Sequence, residues 1–138
     1  MKFIPQTKNA LVLRTDFSDA AAWGAICEAI RAPVGEFRAY VDFISDPEYD
    51  GITTEQLLSL IPHNLHHTFI FVVDRHALSH ADYPILVVDL YTEPGRTFRV
   101  IPSEMWGVEN NLSIANMDFA EFADNVDQDG VFRGFRAS

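Results

Sequence analysis

Ala10-Leu11-Val12-Leu13-Arg14-Thr15-Asp16 is a short apolar run closed by polar residues, followed at once by Ser18 and Asp19. An apolar run of strand length with no alternation predicts a strand buried on both faces. Ser18 predicts a helix N-cap, and Asp19 in the first turn meets the positive end of the helix dipole. Trp23, Ile26, Cys27 and Ile30 then recur at i, i+3, i+4 and i+7, so one face of that helix is apolar. Pro33 and Gly35 end it. Ala39 to Asp46 sets Tyr40, Asp42 and Ile44 against Val41, Phe43 and Ser45, which predicts a second strand. Strand, helix and strand in this order make a right-handed βαβ unit, and therefore a sheet with a parallel part.

The rest of the chain extends this unit. Thr53 and Gln56 stand in capping-box spacing before an apolar face of Leu57, Leu58, Leu60 and Ile61, and Pro62 stops that helix. Thr68–Asp74 predicts a third, central strand and Ile85–Tyr91 a fourth. Glu93-Pro94-Gly95-Arg96 places Pro and Gly at the middle of a type II turn, so Thr97–Ile101 should return antiparallel as a fifth strand. Pro102-Ser103 opens a helix towards Leu112. Asp118 with Glu121 predicts another, with Met117 stapled to Phe122 and Gly130 in the left-handed position beyond it. Phe132 and Phe135 in the tail call for burial. The expectation is a single α/β domain over residues 1–138, with a mixed sheet of about five strands in the order β-α-β-α-β-β-β-α-α.

Composition narrows the function classes. The 138 residues are 48% hydrophobic and carry a net charge of −10. That is enough apolar material for a core, and it excludes a disordered chain. The acidic balance argues against nucleic acid as a partner, because counterion release needs clustered Lys and Arg. The single cysteine, Cys27, forms no intrachain disulfide. The N-terminus shows no signal-like apolar run, and no segment reaches the ~18 residues of a membrane span. A cytoplasmic protein without a membrane anchor is expected.

The chain also resembles a known family. Leu11-Val12-Leu13-Arg14-Thr15-Asp16-Phe17-Ser18-Asp19 with Trp23, Val87-Val88-Asp89-Leu90-Tyr91 and Phe98-Arg99-Val100 carry the resemblance. So do Glu109-Asn110-Asn111-Leu112-Ser113-Ile114-Ala115-Asn116-Met117-Asp118-Phe119 and Gly130-Val131-Phe132-Arg133-Gly134-Phe135. The family is one of small bacterial proteins, mostly actinobacterial, known as a domain of unknown function. The resemblance spans nearly the whole chain and implies a single domain. It implies no activity, cofactor or catalytic residue.

Several constellations bear on chemistry. Asp16, Asp46, Asp74 and Asp89 stand at predicted strand ends, where open α/β sheets bind ligands and crowded acids hold Mg²⁺ or share a proton. The plainer reading is helix support and solvated loop residues, and an antiparallel fourth strand would carry Asp89 to the edge opposite Asp74. His63, His66 and His67 precede the third strand, while His76 and His80 follow it. These groups stand about 20 Å apart along that strand and make no common zinc site. Asn125-Val126-Asp127-Gln128-Asp129-Gly130 reads like the start of a calcium loop, but Arg136 occupies the position of the bidentate glutamate, so no calcium binding is expected. Cys27, on an apolar helix face, reads as a buried and inert thiol. No cofactor or metal is called for.

Charge placement is the remaining signal. Twelve of the twenty acids fall in two base-free stretches, 42–55 and 104–129. Because the phenylalanines of the last helix must be buried, Asp118, Glu121, Asp124, Asp127 and Asp129 should form an outward acidic face, with no base between them to neutralise it. Such a face would bind a basic protein, or it is simply a solvated surface. The leading expectation is an acidic protein-binding domain of the antitoxin or immunity kind, acting by occlusion. The alternatives are an enzyme using Asp16, Asp46 and Asp74, and a structural subunit of an assembly.

Overall fold

The computed structural model describes residues 2–135. One mixed six-stranded sheet organises the chain, in the order β2-β1-β3-β4-β5-β6. The strands are β1 (Ala10–Arg14), β2 (Val41–Ile44), β3 (Phe69–Val73), β4 (Ile85–Asp89), β5 (Thr97–Val100) and β6 (Val131–Phe132). β1 runs parallel to both β2 and β3, β4 is antiparallel to β3 and β5, and β6 is parallel to β5. The expected five strands are all present. The sixth is a two-residue strand in the tail, too short to leave a period in the sequence.

β1 and β3 are buried at every position, as inner strands with both faces covered require. Their alternate side chains feed two cores. Val12, Phe69, Phe71, Val87, Phe98 and Val100 meet the apolar faces of α1 (Ala20–Arg31), α3 (Arg75–Ser79), α4 (Met105–Ser113) and α5 (Phe119–Ala123). Leu11, Leu13, Ile70, Val72 and Val88 meet Ile4, Tyr49 of a 3-10 turn, Pro47–Tyr49, and Leu57 of α2 (Thr54–Ser59). The sheet is thus covered on both sides.

Local chemistry sets the helix ends. The cap of α1 is Asp19, whose carboxylate accepts from Ala22 N at 2.9 Å, and not the expected Ser18. Ser18 is turned back instead, donating its N–H and hydroxyl to Asp16. α1 ends at Ala32, held extended because Pro33 excludes the helical region for the residue before it. Thr53 and Gln56 form the expected capping box on α2, and Asp118 and Glu121 form one on α5. Gly95 at φ +95° and the Arg96 N to Glu93 O bond of 2.9 Å make the turn between β4 and β5. Gly130 is left-handed, at φ +81°, but it closes the turn into β6 through its bond to Asp127 O rather than ending α5. Of the tail rings, Phe132 is buried, whereas Phe135 is 53% exposed and leans on Phe122 and Phe132.

Candidate functional site

Asp16, Asp46 and Asp74 lie, as the topology demands, beyond the carboxyl ends of β1, β2 and β3. Each is engaged in local structure. Asp16 accepts from Ser18, which holds its carboxyl below the usual carboxylate range. Asp46 caps the 3-10 turn through Glu48 N and pairs with Lys2, the Lys2 contact contributing most to its lowered pKa. Asp74 caps α3 through Ala77 N and takes a two-point bond from Arg99, at 3.0 and 2.7 Å. Burial alone would raise Asp74, but the Arg99 guanidinium overcomes it and holds the acid low. Asp89 is at the opposite end, paired in register with Phe69 at the start of β3. It is buried and accepts from the N–H groups of Tyr91, Thr92 and Glu93, which shapes the turn. Among the described residues no three His, Cys, Asp or Glu side chains are grouped to hold a metal ion.

The histidines divide as their positions in the chain require. His76 and His80 stack on α3 with ring centroids 4.0 Å apart. His63, His66 and His67 line a hollow of about 570 Å³ at the amino end of β3, with Leu58, Ile61 and Leu65. His67 Nε2 lies 2.9 Å from Thr7 O. Because a carbonyl only accepts, that nitrogen carries the proton. Beside this hollow, Glu109 is buried yet fully engaged: Tyr40 N and the Ser113 hydroxyl each donate to it at 2.7 Å. The family-like stretch from Glu109 to Phe119 therefore ties α4 to the chain entering β2. Cys27 is buried, and burial raises its thiol pKa.

The acidic face is less bare in space than along the chain. Asp124 pairs with Arg96 at 2.5 Å. Arg133 gathers Asp82, Asp127 and Asp129 at 2.7, 2.9 and 2.8 Å, and these bonds raise its own pKa. The Glu121 carboxylate is drawn back to Asp118 N at 2.7 Å. The neutralising bases come from the β4–β5 turn and the tail, which is why a scan of the 104–129 stretch does not find them. Asp127 and Asp129 thus serve as an arginine clamp. Arg136, on which the reading against calcium rested, lies outside the described residues.

A further surface lies along the outer edge of β2. β2 is an edge strand bonded only to β1, and all four of its residues are half-buried. Among the described residues, no loop or side chain hydrogen-bonds to the main chain of Val41–Ile44 from the outer side. Two hollows flank this edge. One, of about 520 Å³, lies among Arg31, Arg38, Tyr40, Val41 and Phe43. The other, of about 360 Å³, lies among Phe3, Pro5, Phe43, Ile44 and Tyr49. The segment leading into β2 is exposed from Arg31 to Arg38 and again at Tyr40. It carries three of the seven exposed large apolar side chains among the described residues, Val34, Phe37 and Tyr40, and Phe37 stacks on Trp106 at 4.5 Å. The signal was present as Val34 and Phe37 in a stretch with neither helical nor strand period, read only as a helix stop, while Tyr40 fell within the expected second strand.

The fold and its surfaces define a small α/β domain built on one mixed sheet. Residues 9–135 match the family described as Domain of unknown function (DUF6924), and the chain belongs to that family. A comparison with curated proteins finds no match. No helix among the described residues is long and apolar enough to cross a membrane.

Proposed function

We propose that this domain binds another protein, and that it does so at the β2 edge. The observation that carries the reading is the uncovered edge strand itself. Alternate residues of a paired strand turn their N–H and C=O groups outward, and such a row is a template for an added strand. The hollows on either side would receive the alternating side chains of that strand. Tyr40, Arg31 and Arg38 line one of these hollows, and Phe37, stacked on Trp106, lies in the segment entering β2; aromatic residues and arginine are the types enriched at protein interfaces. Occupying this edge would block the partner segment from other contacts, which is inhibition or regulation by occlusion.

The acidic residues Asp118, Glu121, Asp124, Asp127 and Asp129 serve this reading less directly, because Arg96 and Arg133 already engage three of them. No observation favours catalysis by Asp16, Asp46 and Asp74, whose carboxylates cap and pair. The test is site-directed photo-crosslinking in native cells. A photo-reactive residue at Tyr40 should trap a second protein, whereas one at Tyr91, more exposed at 76% but on the β4–β5 turn, should not. Equal trapping at the two positions would overturn the proposal.

A further inference from the structure

The geometry points to an occupant of defined chemistry: an extended segment of a partner protein that alternates acidic and aliphatic side chains. The inference rests on the reading of β2 as a docking edge and adds what that edge selects.

The two flanking hollows differ. In the first, the Arg31 guanidinium lies over the Phe43 ring at 4.4 Å, and the Arg38 guanidinium lies near the Tyr40 ring at 5.0 Å. Both arginines are exposed, and neither forms an ion pair among the described residues. Stacking on a ring restrains a guanidinium while leaving its N–H groups free for a carboxylate. Of the acids close to this hollow, Asp42 is engaged by Asn9 N at 3.0 Å and Asn9 Nδ2 at 3.4 Å, and Glu109 by Tyr40 N and the Ser113 hydroxyl, each at 2.7 Å. In the second hollow Lys2 and Asp46 neutralise one another, and Phe3, Pro5 and Ile44 supply apolar surface. Successive side chains of an added strand point to opposite faces. One set would therefore meet free guanidinium and the other would meet apolar surface.

A second copy of this chain is a poor occupant. Pairing two β2 strands antiparallel would bring the Asp42 carboxylates of both copies close together, and like charges across a strand pair destabilise it. Each copy also carries a net charge of −10. That charge repels acidic segments over the molecule as a whole, so an acidic strand is accepted only where the two guanidiniums stand open.

The experiment is a binding titration of the full chain with three blocked hexapeptides that alternate valine with glutamate, glutamine or lysine, with amide hydrogen exchange to locate the contact. The glutamate peptide should bind at least tenfold more tightly than the other two and slow exchange in Val41–Ile44. The double variant Arg31→Gln/Arg38→Gln, checked by its melting curve, should lose that preference. The peptide series on the unaltered chain decides the matter even if that variant fails to fold. Equal binding of all three peptides at β2 overturns the charge selection and leaves the docking edge intact. Preference for lysine, protection elsewhere, or undiminished binding to a folded double variant also overturns the inference. Binding of none overturns the docking edge itself.

Discussion

The two edges of the sheet solve the same problem in different ways. β6 is two residues long, and its outward groups are already used: Val131 O accepts from Asp127 N at 2.9 Å, and Val131 N donates to the Asp129 carboxylate at 3.2 Å. Arg133 then locks the turn that supplies those partners, and Phe135 closes over the end. β2 is twice as long, and among the described residues nothing hydrogen-bonds to its main chain from the outer side. A free strand edge invites pairing, and proteins usually cover or charge it. This chain closes one edge with its own tail and leaves the other flanked by aromatic rings and guanidiniums. On the proposed reading, the first edge is structure and the second is a surface for use.

Removing Phe132, a buried ring that closes the β6 edge, should have the largest effect. Phe132→Ala should cost about 3–5 kcal/mol in a urea melt, as cavity-forming phenylalanine truncations do. Phe135→Ala, which removes a ring that is 53% exposed, should cost about 1 kcal/mol or less. Comparable losses would show that the tail is held as a whole rather than by its inner ring.

Next in size is the tie between β3 and β5. Asp74 has a folded-state pKa below the usual carboxylate value. Its contribution is therefore complete at neutral pH and is lost as pH falls from the unfolded value of about 3.9 through the folded one. Asp74→Asn should lower stability at pH 7 by about 1–2 kcal/mol, the pair being only partly shielded from solvent. The gap to the unaltered protein should narrow in acid. A gap that stays constant with pH would exclude ionisation of Asp74 as its source.

A smaller effect is expected at the clamp. Arg133→Gln leaves Asp82, Asp127 and Asp129 facing one another. Its melting temperature should fall below that of the unaltered protein at low salt and approach it at high salt, because screening relieves the repulsion. Salt independence would mean that the turn is held by its backbone bonds alone.

The open edge should respond least. Tyr40→Asp alters an exposed ring, and its effect on stability should stay within about 0.5 kcal/mol while it disrupts crosslinking and peptide binding. Loss of stability comparable to that of Phe132→Ala would erase the distinction between the edges.

How much of this was legible depends on the range of the interactions. The buried inner strands, the amphipathic α1 and the caps at Thr53 and Asp118 were readable because each rests on contacts within about one turn or one strand. Ser18 was misread for Asp19 because two good capping residues stand side by side, and only the fold shows that Ser18 is already bonded to Asp16. The strand-end acids were located in the chain, but their partners were not: Arg99 is 25 residues from Asp74, and Lys2 comes from the far N-terminus.

The sequence by itself determined the α/β class, the order of the main elements and the apolar set that must be buried, since these follow from periodicity and local hydrogen bonding. Tertiary structure alone decided which charges are spent and which are free. Arg133 meets Asp82 across 51 residues, whereas Arg31 and Arg38 reach aromatic rings and, among the described residues, no acid. It also decided which strand lies at an open edge. The order β2-β1-β3 places the second strand of the chain outermost, and no local pattern encodes that placement, because it is settled by which neighbour each strand finds when the whole sheet closes its core.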